Sequence, residues 1–401
     1  MINLENPRRY RGLVDQAQQV AREMFRPISR KYDRAEHEYP KELDTLAALL
    51  DGMNDSGGEG AGAGKLSQEK SADGSVVNGR NMSAVLGMIE LCWGDIGLAL
   101  SLPRQGLGNA AISAVANEEQ AARFEGCWAA MAITEPGAGS DSAAIRTRAV
   151  EDGDDYVLNG EKIYVTAGGR CDTVVVWATL DPAAGRAAIK SFVVPKGTPG
   201  MEVVRLDHKL GIRASDTATI HFTDCRVPKE NLLGSPEIDT KRSFAGAMKT
   251  FDNTRPLVAA MAIGLARASL EETRRLLGEA GVAIDYDRPV HCQSAAAAAF
   301  LDMEANYEAA RLLTLQAAWM ADNSQPNSLQ ASMAKAKAGR MGTAVSLGCL
   351  DLIGPLAYTE DTLLEKWARD AKILDIFEGT QQIQLLIVAR RLLNKTSSEL
   401  K

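Results

Sequence analysis

The 401 residues lack the spacing of a disulfide framework or a zinc site. The six cysteines, at 92, 127, 171, 225, 292 and 349, are scattered, with no CxxC pair and no Cys/His ligand pattern, so no metal is expected and a reducing compartment is the default. Met1 to Tyr10 have no apolar run of the kind a secretory signal needs. No later uninterrupted apolar stretch reaches the length of a membrane span, Leu257 to Ala266 being about half of one. These absences predict a cytoplasmic protein without a membrane span. Basic excess is missing as well: the formal net charge of −7 argues against nucleic acid as the main partner. Strands do not alternate with helices, which argues against a doubly wound nucleotide fold.

What is present is apolar content of 45%, enough to bury more than one core. Leu13, Ala17, Val20, Met24 and Ile28 recur at helical intervals, and Leu43, Leu46, Leu49 and Leu50 mark a second helix after Pro40. Residues 51–80 turn rich in Gly, Ser, Asn and Asp and read as a long flexible loop. Helical pattern resumes from Met82. Near Trp128 the texture changes to short β-branched or alternating runs at 156–166, 173–179, 189–194, 201–206 and 217–222, separated by Asp-Gly, Pro-Gly and similar turns. Beyond Pro228 long helical periods return at 245–277, 294–322, 328–352, 363–376 and 380–393. The expected fold is α+β: an N-terminal helical domain (1–127), a middle β-sandwich or barrel domain (128–235) and a C-terminal domain resembling a four-helix bundle (236–401).

Several windows carry chemistry. Glu378 sits two residues before Thr380, which can cap the last helix, and Gly379 lets the chain turn sharply between them. A carboxylate beside unpaired amides suits proton abstraction next to a carbonyl, and it equally suits the positive end of a helix dipole. The loop from Thr134 through Gly139 to Ser140 contains GxG but not the full dinucleotide pattern; its amides and hydroxyls can contact a heterocycle or pyrophosphate, or simply turn the chain. Tyr164 and Thr166 alternate onto one strand face, where an aromatic and a hydroxyl can meet a ring or an ordinary cross-strand neighbour. Arg255 places a charge where apolar surface dominates, as a site residue or in an ion pair with Asp252.

Taken together, six ordered segments resemble the acyl-CoA dehydrogenase family over almost the whole chain. They are Thr134 to Asp141, Asn159 to Thr166, Gly211 to Thr217, Val227 to Gly234, Thr254 to Pro256, and Glu365 to Asp370 running into Phe377 to Thr380. The resemblance implies FAD-dependent α,β-dehydrogenation of an acyl-CoA thioester to a trans-2-enoyl-CoA. It implies Glu378 as the base, with Arg255 beside it, the β-hydrogen leaving as hydride to the flavin, and the thioester oxygen held by the Glu378 backbone N–H. It implies flavin contacts from Thr134, Gly139, Ser140, Tyr164, Thr166, Thr380 and Gln382, and substrate contacts from Ser140, Phe251, Arg255 and Gly379. Some members carry the base at the position of Thr254 instead, which here cannot serve.

One departure concerns assembly. Members commonly have an arginine before the second bundle helix and a Gln-x-x-Gly-Gly run, which together hold the adenine side of a neighbouring subunit's flavin. Here the corresponding places hold Val282, Asp285 and Tyr286, and Asp351 to Pro355. A carboxylate facing pyrophosphate repels it. Either Arg288 compensates within a homotetramer, or the chain pairs with a second acyl-CoA dehydrogenase chain in a heteromer. Implied partners are the acyl-CoA substrate and an electron-transfer flavoprotein as acceptor. Two other functions remain open: a non-catalytic or co-catalytic partner subunit, and an acyl-CoA oxidase using oxygen.

Overall fold

The computed structural model describes residues 8–55, 79–103, 107–238, 245–396 and 399, with the side chains of 49–55 and 245–253 outside the description. Helices α1 (Arg11–Val20) and α2 (Arg26–Arg34) are joined end to end by a π-helical turn at Ala21–Phe25, and α3 spans Glu42–Asp55. Residues 51–55, read as loop from their composition, are thus the last turn of α3, while 56–78 lie outside the described residues. Next come α4 (Arg80–Gly94), the single turn α5 (Ile96–Ala99), α6 (Leu107–Val115) and α7 (Glu118–Arg123). The break between α4 and α5 falls at Asp95, whose extended backbone ends one helix and whose carboxylate caps the next through the Leu98 amide.

Seven strands follow: β1 (Ala129–Ala132), β2 (Arg148–Asp152), β3 (Asp155–Thr166), β4 (Thr173–Thr179), β5 (Ile189–Pro195), β6 (Met201–Leu206) and β7 (Thr217–Pro228). They form one sheet, a half-barrel ordered β1-β4-β2-β3-β7-β6 with β5 on β4. Pairing is antiparallel except for β1 with β4 and a single β2–β4 pair. All seven residues of β4 are buried, because Val174 and Val176 face one core while Val175 packs with Ala111, Ile112 and Phe124 of the helical layer on the other side.

The chain then enters α8 (Ala245–Glu279), α9 (Ala295–Asp322), α10 (Ser328–Ile353), α11 (Leu364–Ala371) and α12 (Gln381–Leu393). Of these, α8 to α11 share a single core with α2 to α5, running from Phe25 and Ile89 to Ile263, Met341 and Trp367. Residues 328–358, α10 with the turn after it, are long and apolar enough to cross a membrane by length and composition. In this molecule that helix packs against α8, α9 and α12.

Two of the motif segments meet between the layers. Lys366 of α11 donates to Asp95 (2.7 Å) and Asp370 (2.5 Å), Asp370 accepts the Ile212 amide at 2.6 Å, and Ser29 donates to Asp95. Arg369 adds bonds to Asp33 and to the Leu210 carbonyl. The 210–212 loop beyond the sheet, the N-terminal helices and the bundle are pinned at one buried point.

Candidate active site

The loop that carries Glu378 is built by the two helices that flank it. Thr380 caps α12 as its sequence position predicts, its hydroxyl accepting from the Ile383 amide at 3.4 Å. Ahead of it Glu378 and Gly379 both adopt the left-handed region, with φ of 54° and 88°. For Glu378 that conformation costs on the order of 1–2 kcal/mol and needs external support. Gln384 supplies part of it, donating from Nε2 to the carbonyls of Glu378 (3.1 Å) and Gly379 (3.2 Å). A Cβ on Gly379 would lie 2.4 Å from that same nitrogen and push it off its carbonyls, and the positive φ there strains any other residue, so glycine fits the turn. Sequence reasoning missed Gln384; its signal was a buried-face amide one turn after an N-cap.

The Glu378 carboxyl receives the Thr254 hydroxyl at 2.9 Å. Thr254 and Arg255 are both buried in α8, with Pro256 immediately after them inside the helix. Burial pushes the Glu378 carboxyl above its ordinary range, and the Thr254 bond with the positive charges of Arg255 and Lys335 only partly opposes that.

The opposite wall comes from the sheet. β3 carries a register shift between Lys162 and Val165, and Tyr164 takes φ of 58° there. The irregularity breaks simple alternation, so Ile163, Tyr164 and Thr166 all line the cavity. Tyr164 is 64% exposed. The Thr134 carbonyl accepts from the Ile163 amide at 2.9 Å, which docks the 133–140 loop onto this strand. Beneath the loop, buried Glu135 accepts from the amides of Arg146 (2.6 Å) and Thr147 (2.9 Å), the Thr147 hydroxyl (2.6 Å) and Lys162 Nζ (2.7 Å). Burial draws the Glu135 carboxyl upward, and the Lys162 charge and these bonds outweigh it, leaving the group below its ordinary value. Lys162 is pushed down to about 8 by burial. Both residues lie inside recognised segments, yet only the structure gives them this clamping work.

One cavity of about 2060 Å³ joins the two walls. It brings together Thr134, Gly139, Ser140, Tyr164, Thr166, Thr254, Arg255, Glu378, Gly379 and Thr380. Gln382 is exposed and is not among the lining residues; Ile383, Ile387 and Arg390 present the cavity side of α12 instead. The side chain of Phe251 lies outside the described residues. Val282, Asp285, Tyr286, Asp351 and Pro355 do not line the cavity. Gln293 straps the 285–288 turn, donating to the Asp285 and Arg288 carbonyls and accepting from the Asp285 amide.

Residues 130–225 match the acyl-CoA dehydrogenase middle domain and residues 244–393 the acyl-CoA dehydrogenase C-terminal domain. The chain belongs to the acyl-CoA dehydrogenase family. It is 39% identical over 280 residues to the short-chain specific acyl-CoA dehydrogenase of Rattus norvegicus mitochondria, a match covering 68% of this chain and 64% of that protein, just under two thirds of its length. It is 37% identical over 263 residues to the short-chain specific acyl-CoA dehydrogenase of Clostridium acetobutylicum, covering 66% of this chain and 68% of that one. Among solved structures, the butyryl-CoA dehydrogenase of Megasphaera elsdenii superposes with a TM-score of 0.84 at 28% identity, covering 98% of this chain and 100% of that one. For a family member, the cavity between the 133–140 loop, β3 and the Glu378 loop is the candidate active site.

Proposed function

We propose that this acyl-CoA dehydrogenase family member is an FAD-dependent enzyme that removes hydrogen from the α and β carbons of an acyl-CoA thioester. The observation that carries the reading is the Glu378 carboxyl, bonded to Thr254 in the wall of the same cavity that holds Thr134, Ser140, Tyr164 and Thr166. The residues present fit a flavin: three hydroxyls and a largely uncovered aromatic ring converge from the loop and strand, as a flat, polar-edged ring requires. When bound, the flavin supplies the two-electron acceptor for the β-hydrogen.

The chain's residues do the rest. Thr254 occupies Glu378 Oε2, which leaves Oε1 to take the α-proton. Burial makes the carboxylate a stronger base than one in water, while Arg255 keeps enough of it ionised to act. The Glu378 backbone N–H, at the turn ahead of α12, donates to the thioester oxygen as negative charge develops there. The clamp of Glu135 and Lys162 keeps the Thr134 loop on its strand and so fixes where the ring lies.

Mixing the flavin-loaded protein anaerobically with butyryl-, octanoyl- and branched acyl-CoA tests this. At least one thioester should bleach the flavin absorbance and yield the 2-enoyl product, and no bleaching by any of them contradicts the reading. We further infer an electron-transfer flavoprotein as acceptor, so the reduced protein should reoxidise slowly in air; rapid reoxidation with peroxide release would make it an oxidase. On the same reading the protein works in the cytoplasm, paired with a second acyl-CoA dehydrogenase chain that supplies the adenine-side contacts which Val282 and Asp285 do not.

A further inference from the structure

Where α10 passes beneath the Glu378 loop, it buries one long side chain among small ones. Ala331, Ser332, Ala334, Ala336, Ala338 and Gly339 are all buried, and among them stands Lys335, fully enclosed at 0% exposure. The small residues are explained by close approach: a Cβ on Gly339 would lie 2.7 Å from the Leu374 carbonyl and 3.2 Å from the Asp375 Cα, so the 372–375 turn rests directly on the helix. Lys335 precedes Gly339 by four residues and therefore shares its face. From there its Nζ donates to the Gly379 carbonyl at 2.6 Å. That carbonyl belongs to the second of the two consecutive left-handed residues, the place where the turn most needs an outside hold.

The electrostatic setting is specific. Groups bearing on Lys335 are Asp375, Glu378 and Arg255, and the Glu378 carboxyl in turn faces Thr254 and Arg255 of α8 and Lys335 of α10. A buried ammonium is costly, and apolar side chains of similar length would fill the same space. Gln384 already donates to the Gly379 carbonyl, so the hydrogen bond alone does not call for a cation.

We propose that Lys335 is a positioning residue for the base: from inside α10 it anchors the Glu378–Gly379 turn through the Gly379 carbonyl and sets a positive charge behind the Glu378 carboxyl. The inference rests on Glu378 being the base. It separates two effects that different substitutions can divide. Lys335→Met keeps the bulk and removes both the bond and the charge, whereas Lys335→Gln keeps an uncharged donor, one atom shorter, directed at the same carbonyl.

The test compares both variants, loaded with flavin, with the unmodified protein. In Lys335→Met, kcat should fall roughly 10- to 100-fold with KM changed far less, as expected of a misplaced catalytic group. The acid limb of its kcat–pH profile should move to higher pH, because one of the charges opposing the raised carboxyl pKa is gone. Lys335→Gln should recover much of kcat while its acid limb stays displaced. Hydrogen exchange of the 373–384 peptide, which needs no turnover, should quicken in Lys335→Met and less in Lys335→Gln. Unchanged kcat and acid limb in both variants, even with a lowered melting temperature, would make Lys335 structural and overturn the proposal. If Lys335→Met does not fold, the acid limb and exchange of Lys335→Gln decide. Glu378→Gln serves as control: full turnover there would remove the base and this inference with it, whereas lost turnover there with inert Lys335 variants overturns the inference alone.

Discussion

Glu378 is held in a conformation and a protonation balance that both cost stability. Its backbone is left-handed and its carboxyl is desolvated, with Thr254, Arg255 and Lys335 opposing the desolvation only in part. The pH consequence follows from the sign of the shift. A carboxyl whose folded pKa lies above its unfolded value near 4.5 binds more protons in the native state between those two values. Stability therefore drops as pH rises through that window, and the deficit is fully present above the folded pKa. Glu378→Gln keeps a partner for Thr254 and removes the ionisation, so it should raise the melting temperature at neutral pH, with the gain shrinking as pH approaches 4.5. An equal gain at all pH values would mean that the charge is not the cause. The Glu135–Lys162 pair behaves differently, since each partner is buried and satisfied only by the other and its neighbours. Lys162→Met leaves the Glu135 carboxylate uncompensated and should cost about 3–5 kcal/mol in urea unfolding, with weaker flavin retention through the loosened Thr134 loop.

At the scale of elements, packing decided what the chain alone displayed. The long helices of the bundle show their period and their caps in sequence, so α9, α10 and α12 begin and end within about a residue of expectation. β4 and β6 were legible from β-branched alternation. β1, which is Ala129 to Ala132, and β2, which is Arg148 to Asp152, were not, because alanine and charged residues have little strand preference and pair there through tertiary context. The last turn of α3 looked like loop since Asp51 and Gly52 are weak helix formers. At the site, Glu378, Thr134, Tyr164, Thr166 and Arg255 were singled out from local chemistry and family resemblance. Lys335 and Gln384 were not: Lys335 reaches the Gly379 carbonyl across a length of chain that no window spans, while Gln384 stands within a turn of the carbonyls it holds, but nothing in the local pattern shows its amide folding back onto them. Lys366 illustrates the same limit, linking Asp95 to Asp370 over a separation that only folding closes. Lys366→Met should strand two buried carboxylates and lower stability by about 3–5 kcal/mol, measurable as a shifted urea midpoint.

Across the whole molecule, the sheet furnishes one wall of the cavity and the bundle the other, so neither half makes a site alone. The buried point at Lys366, Asp95, Asp370 and Ile212 fixes their relative placement. The heteromer proposed above makes a prediction at this scale: with Val282 and Asp351 at the places the family resemblance gives to an arginine and an amide facing a neighbour's flavin, the chain expressed alone should hold substoichiometric flavin and gain it with a complementary chain. Native mass spectrometry with flavin quantitation checks this, and a stable homotetramer with one flavin per subunit contradicts it. In the reaction proposed above, Glu378 takes the α-proton against a flavin held by the opposite wall, and that proposal is what joins both halves in one site. Stopped-flow flavin reduction by the best acyl-CoA, comparing Glu378→Gln with the unmodified protein at equal flavin content, tests it most directly. A fall of roughly 10²- to 10⁴-fold in the reduction rate is predicted, the range a positioned general base contributes. A rate within about threefold of the unmodified protein would contradict the assignment of the base.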